Sequence, residues 1–254
     1  MPPTLPPNDA NKTAAVLVIG DEILSGRTQD TNTNYIARFL GLKGIDLKEV
    51  RVVGDVQSEI VAALNALRAR YDFVFTTGGI GPTHDDITAD AVAAAFGAGI
   101  GLHPEAYALL EARYGKAEFN PMRQRMARIP HGAALIENRV SVAPGFHIGN
   151  VFVLAGVPAI ARAMLETVAL PEGPKVHAVT ITAPIAEGRV AEGLAAIQKD
   201  QPETAIGSYP FTTADGAFGV QLVVRGRDNG AVEAAAAAIE AHLRGLGVAS
   251  QRVI

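Results

Sequence analysis

The fold is decided by one segment, Asp72-Phe73-Val74-Phe75-Thr76-Thr77-Gly78-Gly79-Ile80-Gly81-Pro82-Thr83-His84-Asp85-Asp86-Ile87-Thr88. Its apolar start is typical of a buried parallel strand, and its glycines can adopt the positive φ angles that turn main-chain N–H groups toward an anion. A helix beginning near Thr88 would direct its N-terminal amides to the same place. The segment therefore predicts a phosphate-binding site, with a loop built only for turn geometry as the alternative.

The carboxylates at the end of this segment extend the prediction. Asp85 or Asp86 could cap the next helix, but one cap needs only one carboxylate. Asp86 and Asp90 are four residues apart and would share one helical face beside the loop. Because carboxylates repel a phosphate unless a cation lies between them, we expect a metal-bridged phosphate ligand with a divalent ion such as Mg²⁺, Mn²⁺ or Co²⁺.

Length and composition are typical of a soluble protein with one large and one small domain. The chain has 254 residues, 48% apolar content and a formal charge of -4, and it offers no basic patch for nucleic acid. Without cysteine, disulfides, thiolate zinc sites and a cysteine nucleophile are excluded. The cluster Arg123, Arg125 and Arg128 is either a solvated face or a site of anion recognition.

The beginning of the chain and its hydropathy bear on localisation. Residues 1–12 are polar and rich in proline, which predicts a disordered tail rather than a signal peptide. No stretch has the length and apolar content of a membrane span. We therefore expect a cytoplasmic protein without a membrane partner.

Strands and helices alternate over residues 13–171. Apolar runs predict strands at 14–19, 47–53, 73–76 and 151–154. Helical spacing predicts helices at 31–42, 58–70, 88–96, 105–114 and 121–127, and from 158 to about 170. The alternation predicts an α/β fold, a mostly parallel sheet with helices on both faces. Its ligand should bind beyond the carboxyl ends of the strands.

A second, smaller domain is predicted after the run Pro171-Glu172-Gly173-Pro174, which is typical of a linker. Over residues 175–254 the pattern predicts strands at 176–183, 204–207 and 219–224 and helices at 189–199 and 230–246. This arrangement indicates a small α+β domain, for which we expect a role in assembly or pocket closure.

Several blocks of the chain carry a family resemblance. In order, they are Val18-Ile19-Gly20-Asp21-Glu22-Ile23-Leu24-Ser25-Gly26, Asp30-Thr31-Asn32-Thr33-Asn34, the 76–88 loop, Ala143-Pro144-Gly145-Phe146 and Leu154-Ala155-Gly156-Val157-Pro158. Together they resemble the molybdopterin-binding domain family of MoaB- and Mog-like proteins, over roughly residues 14–170. Within that family the chain is most similar to the N-terminal domain of CinA and to the corresponding domain of eukaryotic FAD synthase. The segment Ile206-Gly207-Ser208-Tyr209-Pro210 also resembles a Gly-Ser-Tyr-Pro turn of the FAD synthase relatives.

The resemblance implies a set of site residues. Asp55 and Asp86 match the two aspartates of the pterin-phosphate site in the Mog-like relatives, and we take them as candidate catalytic residues. The candidate metal ligands are Asp21, Glu22, Asp55 and Asp86. The candidate ligand-binding residues are Gly20, Glu22, Asn32, Asn34, Thr77, Gly78, Gly79, Gly81, Pro82, Thr83, Asp85, Gly156 and Pro158. Asp30 and its neighbours Asn32 and Asn34 are equally compatible with a helix cap.

Two positions depart from the CinA pattern. Asp21 stands in the family's Gly-Thr-Glu block, where it adds a carboxylate, and Ile160 stands where CinA proteins carry a glutamate. These departures argue against a direct transfer of CinA chemistry. We also expect no amidohydrolysis of nicotinamide nucleotides, because the deamidase domain of full-length CinA has no counterpart in this sequence.

Three functions are compatible with the resemblance. The first is metal-dependent cleavage of a nucleotide diphosphate such as ADP-ribose or FAD, an activity associated with the CinA and FAD synthase relatives. The second is binding of molybdopterin phosphate for adenylylation or metal insertion in molybdenum cofactor biosynthesis. The third is a non-catalytic protein that binds a pterin or a nucleotide. The family also implies a homo-oligomer.

Overall fold

The computed structural model describes residues 11–213 and 216–253, so most of the predicted disordered tail lies outside the described residues. The chain divides into two compact units, with the division between Gly173 and Pro174. In the part of the chain that the structure describes, no helix is long and apolar enough to cross a membrane.

The first unit is an α/β domain. Its strands are β1 (Thr13–Ile19), β2 (Asp46–Val53), β3 (Phe73–Thr77), β4 (Ile100–Leu102), β5 (Arg128–Pro130), β6 (Ala134–Ile136), β7 (Gly145–Ile148) and β8 (Val151–Leu154). Its helices are α1 (Asp21–Leu24), α2 (Asn32–Leu42), α3 (Gln57–Arg70), α4 (Thr88–Phe96), α5 (Pro104–Tyr114), α6 (Pro121–Gln124) and α7 (Pro158–Thr167), with a 3₁₀ turn at Arg125–Ala127.

Six of these strands form one sheet in the order β2-β1-β3-β8-β7-β6. The pairs β1–β2, β1–β3 and β3–β8 are parallel, whereas β7 pairs antiparallel with both β8 and β6. Strands β4 and β5 form a separate antiparallel pair. The prediction of a mostly parallel sheet is confirmed, and the antiparallel edge is a finding of the structure.

Strand β1 supplies two hydrophobic cores, one on each face of this sheet. On one face, Ala15, Leu17 and Ile19 pack with apolar residues of α3 and α4. On the other face, Ala14, Val16 and Val18 pack with apolar residues of α2 and α7. All six side chains are almost fully buried, and each buried leucine, isoleucine or valine contributes roughly 1.5–3 kcal/mol. The two cores fix the central strands, and with them the loops at their carboxyl ends.

The second unit has its own core. Its elements are β9 (His177–Ala183), a 3₁₀ turn (Glu187–Arg189), α8 (Ala191–Asp200), β10 (Thr204–Thr212), β11 (Phe218–Gly226), α9 (Asn229–Gly245) and β12 (Gln251–Val253). The strands form an antiparallel sheet in the order β10-β11-β9-β12. Val220 and Leu222 of the sheet pack with Val232 and Ile239 of α9. The predicted α+β domain is confirmed.

One predicted turn of this unit is wrong. The Gly-Ser-Tyr-Pro segment, Gly207–Pro210, lies inside β10, which extends to Thr212 and pairs with β11 along its whole length. Strand β10 is an edge of the sheet, where a proline is tolerated because the open side needs no N–H donor. The periodicity of apolar residues in the sequence also gave no signal for the short elements α1, β4 to β7 and β12.

Candidate functional site

The glycine loop after β3 is held rigidly at the carboxyl edge of the sheet. Gly78 and Gly79 have φ angles of +103° and +67°. Thr88, the first residue of α4, donates its hydroxyl to the Gly78 carbonyl (3.0 Å) and its N–H to the Gly79 carbonyl (3.0 Å). The Gly78 N–H donates to the carbonyl of Leu154 at the end of β8 (3.2 Å). These bonds fix the loop to both neighbouring elements.

A cleft of about 500 Å³ opens in front of this loop, within the range of small-molecule sites, roughly 300–1,000 Å³. It is lined by Glu22, Thr28, Gly78, Gly79, Ile80, Gly81, Pro82, Asp86, Met126, Asn138, Ser141, Ala143, Ala155, Gly156, Val157, Pro158, Ile160 and Met164. The cleft therefore brings together eight of the candidate site residues, including Glu22, Asp86 and Pro158.

The carboxylates that follow β1 and β2 form an acidic cluster of Asp21, Glu22 and Asp55. The main-chain N–H of Asp21 donates to Asp55 Oδ2 (3.0 Å). A side chain at Gly54 would overlap the Asp21 carboxylate, and one at Gly20 would overlap that of Glu22. These two glycines therefore leave the space that the two carboxylates occupy.

The environment of Asp55 disfavours its charged form. Burial raises the pKa of the Asp55 carboxyl, and the charges of Asp21, Glu22 and Asp85 raise this pKa further, although the hydrogen bond from Asp21 opposes them. Over residues 11–213 and 216–253, no three acidic or histidine side chains come together in an arrangement that could hold a metal ion. A cation at the acidic cluster would therefore need further ligands from outside the protein.

The side chain of Asp86 is held by hydrogen bonds within its own loop. Its Oδ2 accepts from the Thr83 N–H (2.8 Å) and hydroxyl (2.5 Å), which closes a turn before α4. Helix α4 has no side-chain cap, so the alternative that Asp85 or Asp86 caps this helix is wrong. Asp90 binds Arg128 through both oxygens (2.6 and 3.0 Å). Asp86 precedes α4, which begins at Thr88, so the two aspartates do not share a helical face as expected; both nevertheless line one recess.

The start of α2 contains a cap and a buried amide. Asp30 Oδ1 accepts from the N–H groups of Asn32 (2.9 Å) and Thr33 (3.1 Å), so Asp30 caps the helix. Asn32 is only 6% exposed and donates its side-chain amide to the Gly156 carbonyl (2.7 Å), while its Oδ1 has no described partner. Asn34 lies on the exposed side of α2 and lines no part of the cleft.

The other candidate residues lie at different depths. Thr77 is buried and lines a side cavity of about 50 Å³, to which Asn32 also contributes. Thr83 and Asp85 line neither the cleft nor this side cavity, and the Asp85 side chain is 59% exposed. Asp21 likewise lines neither cavity.

The sequence did not indicate the loop that forms another wall of the cleft. Asn138 is buried and braces this loop, since its amide donates to Ser141 Oγ (2.6 Å) and to the Ala143 carbonyl (2.7 Å), and its Oδ1 accepts from the N–H groups of Val140 and Ser141. Val142 has a φ of +72°, which is rare for a β-branched residue. The tendency of asparagine to form turns was a signal that the sequence offered for this loop. The groups that Asn138 binds, however, are defined only by the fold.

These features define an α/β domain with a cleft at the carboxyl ends of its strands, where folds of this kind place their ligands. Comparison with protein families identifies it further. Residues 15–175 match the model of the probable molybdopterin binding domain, and residues 175–251 match that of the FAD synthase middle domain. The chain belongs to the molybdopterin-binding domain family, as the sequence blocks predicted.

Individual relatives agree with this assignment. A CinA-like protein of Syntrophotalea carbinolica is 39% identical over 163 residues, which are 62% of this chain and 40% of that relative. The chain thus corresponds to about two fifths of the length of that relative. Protein Ta0487 of Thermoplasma acidophilum is 34% identical over 78% of this chain and 81% of its own length. The crystal structure of the protein CinA, of unknown function, from Thermoplasma acidophilum is 37% identical and covers 63% of this chain and 96% of that one, with a TM-score of 0.59.

Proposed function

We propose that this protein binds a nucleotide diphosphate of the ADP-ribose or FAD type and hydrolyses its diphosphate with the help of a divalent cation. The observation that carries the proposal is the meeting of two features at one sheet edge. The glycine loop lines the cleft beside Glu22, and Glu22 belongs to the acidic cluster that follows β1 and β2. The first feature suits a phosphate, and the second suits a cation that accompanies it.

The donor set fits such a cation. Mg²⁺ is commonly bound by one or two carboxylates together with phosphate oxygens and water, and one or two members of the acidic cluster Asp21, Glu22 and Asp55 would supply these carboxylates. Burial and the neighbouring negative charges both raise the Asp55 pKa, and a bound Mg²⁺, Mn²⁺ or Co²⁺ would favour the charged carboxylate. When bound, the cation supplies positive charge to the diphosphate oxygens.

The residues of the chain then position the reaction. The Gly78 N–H is bound to the Leu154 carbonyl, so the Gly79 N–H is the one that offers a hydrogen bond to charge that develops on the phosphate. Asp86 lines the cleft, and its Oδ2 is engaged by Thr83, which leaves Oδ1 to accept a proton from an attacking water. The water oxygen bonds to phosphorus as the bridging P–O bond breaks, giving two monophosphates.

A second candidate function is the binding of a molybdopterin-type pterin phosphate. It is favoured by the apolar walls of the cleft, which are formed in part by Ile80, Met126, Val157, Ile160 and Met164. Such walls suit a flat ring system. In this case the loop would hold the single phosphate, either for cofactor biosynthesis or without turnover.

Turnover assays on the purified protein test the proposal. ADP-ribose and FAD are incubated with Mg²⁺, Mn²⁺ or Co²⁺, and the monophosphate products are separated by chromatography. Asp86→Asn should keep the fold, because the amide oxygen still accepts from Thr83, but should reduce turnover roughly 10²–10⁴-fold through loss of the proton acceptor. Asp90→Asn is the matched control and should retain turnover, because Asp90 is paired with Arg128. Absence of turnover with every diphosphate, despite tight ligand binding, would refute the hydrolase.

A further inference from the structure

The arginine cluster Arg123, Arg125 and Arg128 is not explained by the proposed reaction, and its members have different partners. Arg123 donates to the carbonyl (2.6 Å) and the carboxylate (3.1 Å) of Glu118. Arg128 forms the two-bonded pair with Asp90. Two of the three charges are therefore neutralised by carboxylates.

Arg125 differs from its neighbours. It lies in the 3₁₀ turn after α6 and donates from Nη2 to the main-chain carbonyl of Asp86 (3.2 Å). Its Nε is buried and has no hydrogen-bond partner among the described residues, and no described carboxylate pairs with the guanidinium. A buried donor without an acceptor is unfavourable by roughly 1–3 kcal/mol. An anionic oxygen placed beside Arg125 would remove this penalty.

The position of Arg125 connects it to the cleft. It lines a recess of about 20 Å³ together with Gly79, Gly81 and Asp86, and these three residues also line the main cleft. A recess of this size holds about one water molecule or one oxygen atom. It is thus too small for a phosphate but large enough for one oxygen of a phosphate that lies in the cleft.

The charges around the cleft agree with this position. The charged residues that line the cleft and the recess, within the described part of the chain, are Glu22, Asp86, Asp90, Arg125 and Arg128. Asp90 and Arg128 neutralise one another, so Arg125 is the positive charge that these walls leave unpaired. A ligand with several negative charges needs such a cation, because Glu22 and Asp86 would repel it.

We propose that Arg125 recognises a phosphoryl oxygen of a ligand whose phosphate lies at the glycine loop. The proposal deepens the proposed function and rests on it only in requiring a phosphate-bearing ligand. It requires neither a cation nor turnover, because the guanidinium itself supplies charge and N–H donors to the oxygen.

The test is the binding of inorganic pyrophosphate to the full chain in the presence of EDTA, measured by isothermal titration calorimetry. EDTA removes divalent cations, so the result is independent of the proposed hydrolysis. Arg125→Gln should weaken pyrophosphate binding on the order of tenfold to a hundredfold, the effect expected for a hydrogen bond to a charged group. Arg123→Gln removes the same charge from the same segment, but Arg123 lines neither the cleft nor the recess. This variant should therefore change the affinity less than about twofold.

A second variant separates recognition from support of the loop. Arg125→Lys keeps the charge without the planar guanidinium, and it should bind pyrophosphate more tightly than Arg125→Gln if Arg125 contacts the ligand. Melting temperatures of all three variants monitor the fold, and Arg125→Lys replaces Arg125→Gln as the test if the latter fails to fold. The proposal is overturned if the wild-type protein does not bind pyrophosphate, if Arg125→Gln binds it normally, or if Arg123→Gln weakens binding equally.

Discussion

Replacement of Gly78 by alanine measures how closely the glycine loop packs against the sheet. Gly78 has a φ of +103°, in a region that residues with a Cβ rarely adopt. A Cβ at this position would lie 3.2 Å from the carbonyl carbon of Ile19 and closer still to its oxygen. Ile19 ends β1, an interior strand of the sheet, so its carbonyl cannot move away without displacing a strand buried on both faces.

Two terms give the size of the effect. Backbone strain at a positive φ is unfavourable by about 1–2 kcal/mol, and overpacking in a close-packed region adds about 1–3 kcal/mol. We therefore expect Gly78→Ala to lower the free energy of unfolding of the first unit by roughly 2–5 kcal/mol. For a unit of this size each kcal/mol corresponds to about 2–4 °C, so the melting temperature should fall by roughly 4–20 °C.

Gly97 provides the matched control. It has a φ of +61° at the end of α4, and a Cβ there would meet nothing within 4 Å. Gly97→Ala should therefore show the strain term alone, a loss of about 1–2 kcal/mol. Scanning calorimetry suits the comparison, because the chain has no tryptophan and the two units can unfold in separate transitions. Equal losses of stability in the two variants would refute the close contact between Gly78 and Ile19.

Three further predictions concern charge, strain and domain structure. Asp55→Asn should raise the melting temperature at pH 7. The pKa of Asp55 is higher in the folded than in the unfolded state, so the carboxyl contributes its full stability below the unfolded pKa and loses this contribution as pH rises through the folded pKa. A neutral asparagine avoids this loss. The gain over the wild type should vanish below about pH 4, and a variant less stable at pH 7 would contradict the raised pKa. Val142→Gly should leave the free energy of unfolding, measured by urea denaturation, within about 1 kcal/mol of the wild type, because relief of the strain at the positive φ offsets the greater entropy of the unfolded chain. A loss of several kcal/mol would show that Val142 is unstrained. Residues 13–171 expressed alone should fold and keep ligand affinity, since their cores are separate from that of the second unit, and a folded fragment that loses binding by calorimetry would place part of the site in residues 175–254.

Elements with a strong local signal could be predicted from the sequence. The predicted bounds of α4 and β8 agree with the structure, because an apolar run and an amphipathic stretch define these elements without reference to partners. The short strands β6 and β7 could not be predicted in this way. Three or four residues are too few for an alternating pattern, and these strands exist because Phe146 and its neighbours pair with Val153 and its neighbours.

The candidate site was predictable where its residues follow a strand end. The rule that loops at the carboxyl ends of parallel strands share one edge placed the glycine loop and Glu22 together. Contacts between distant parts of the chain were not predictable, as the pairing of Asp90 with Arg128 and the contact of Arg125 with Asp86 show. These pairs are 38 and 39 residues apart, and their contact depends on how α4 and the loop before it pack beside β5 and the residues that precede this strand. The local turn of Thr83 with Asp86 also outcompeted the helix cap that the aspartates suggested.

The space beside Gly54, which a side chain at that position would need, links two positions that are far apart in sequence. Because the Asp21 carboxylate occupies the volume that a side chain at 54 would fill, substitutions at 21 and 54 should be non-additive. A larger residue at 54 is harmful while an aspartate stands at 21, and it becomes tolerable once a smaller residue replaces that aspartate. Divergent members of the family should therefore change these two positions together, and the extra acid of this chain can persist only in a lineage that keeps the glycine.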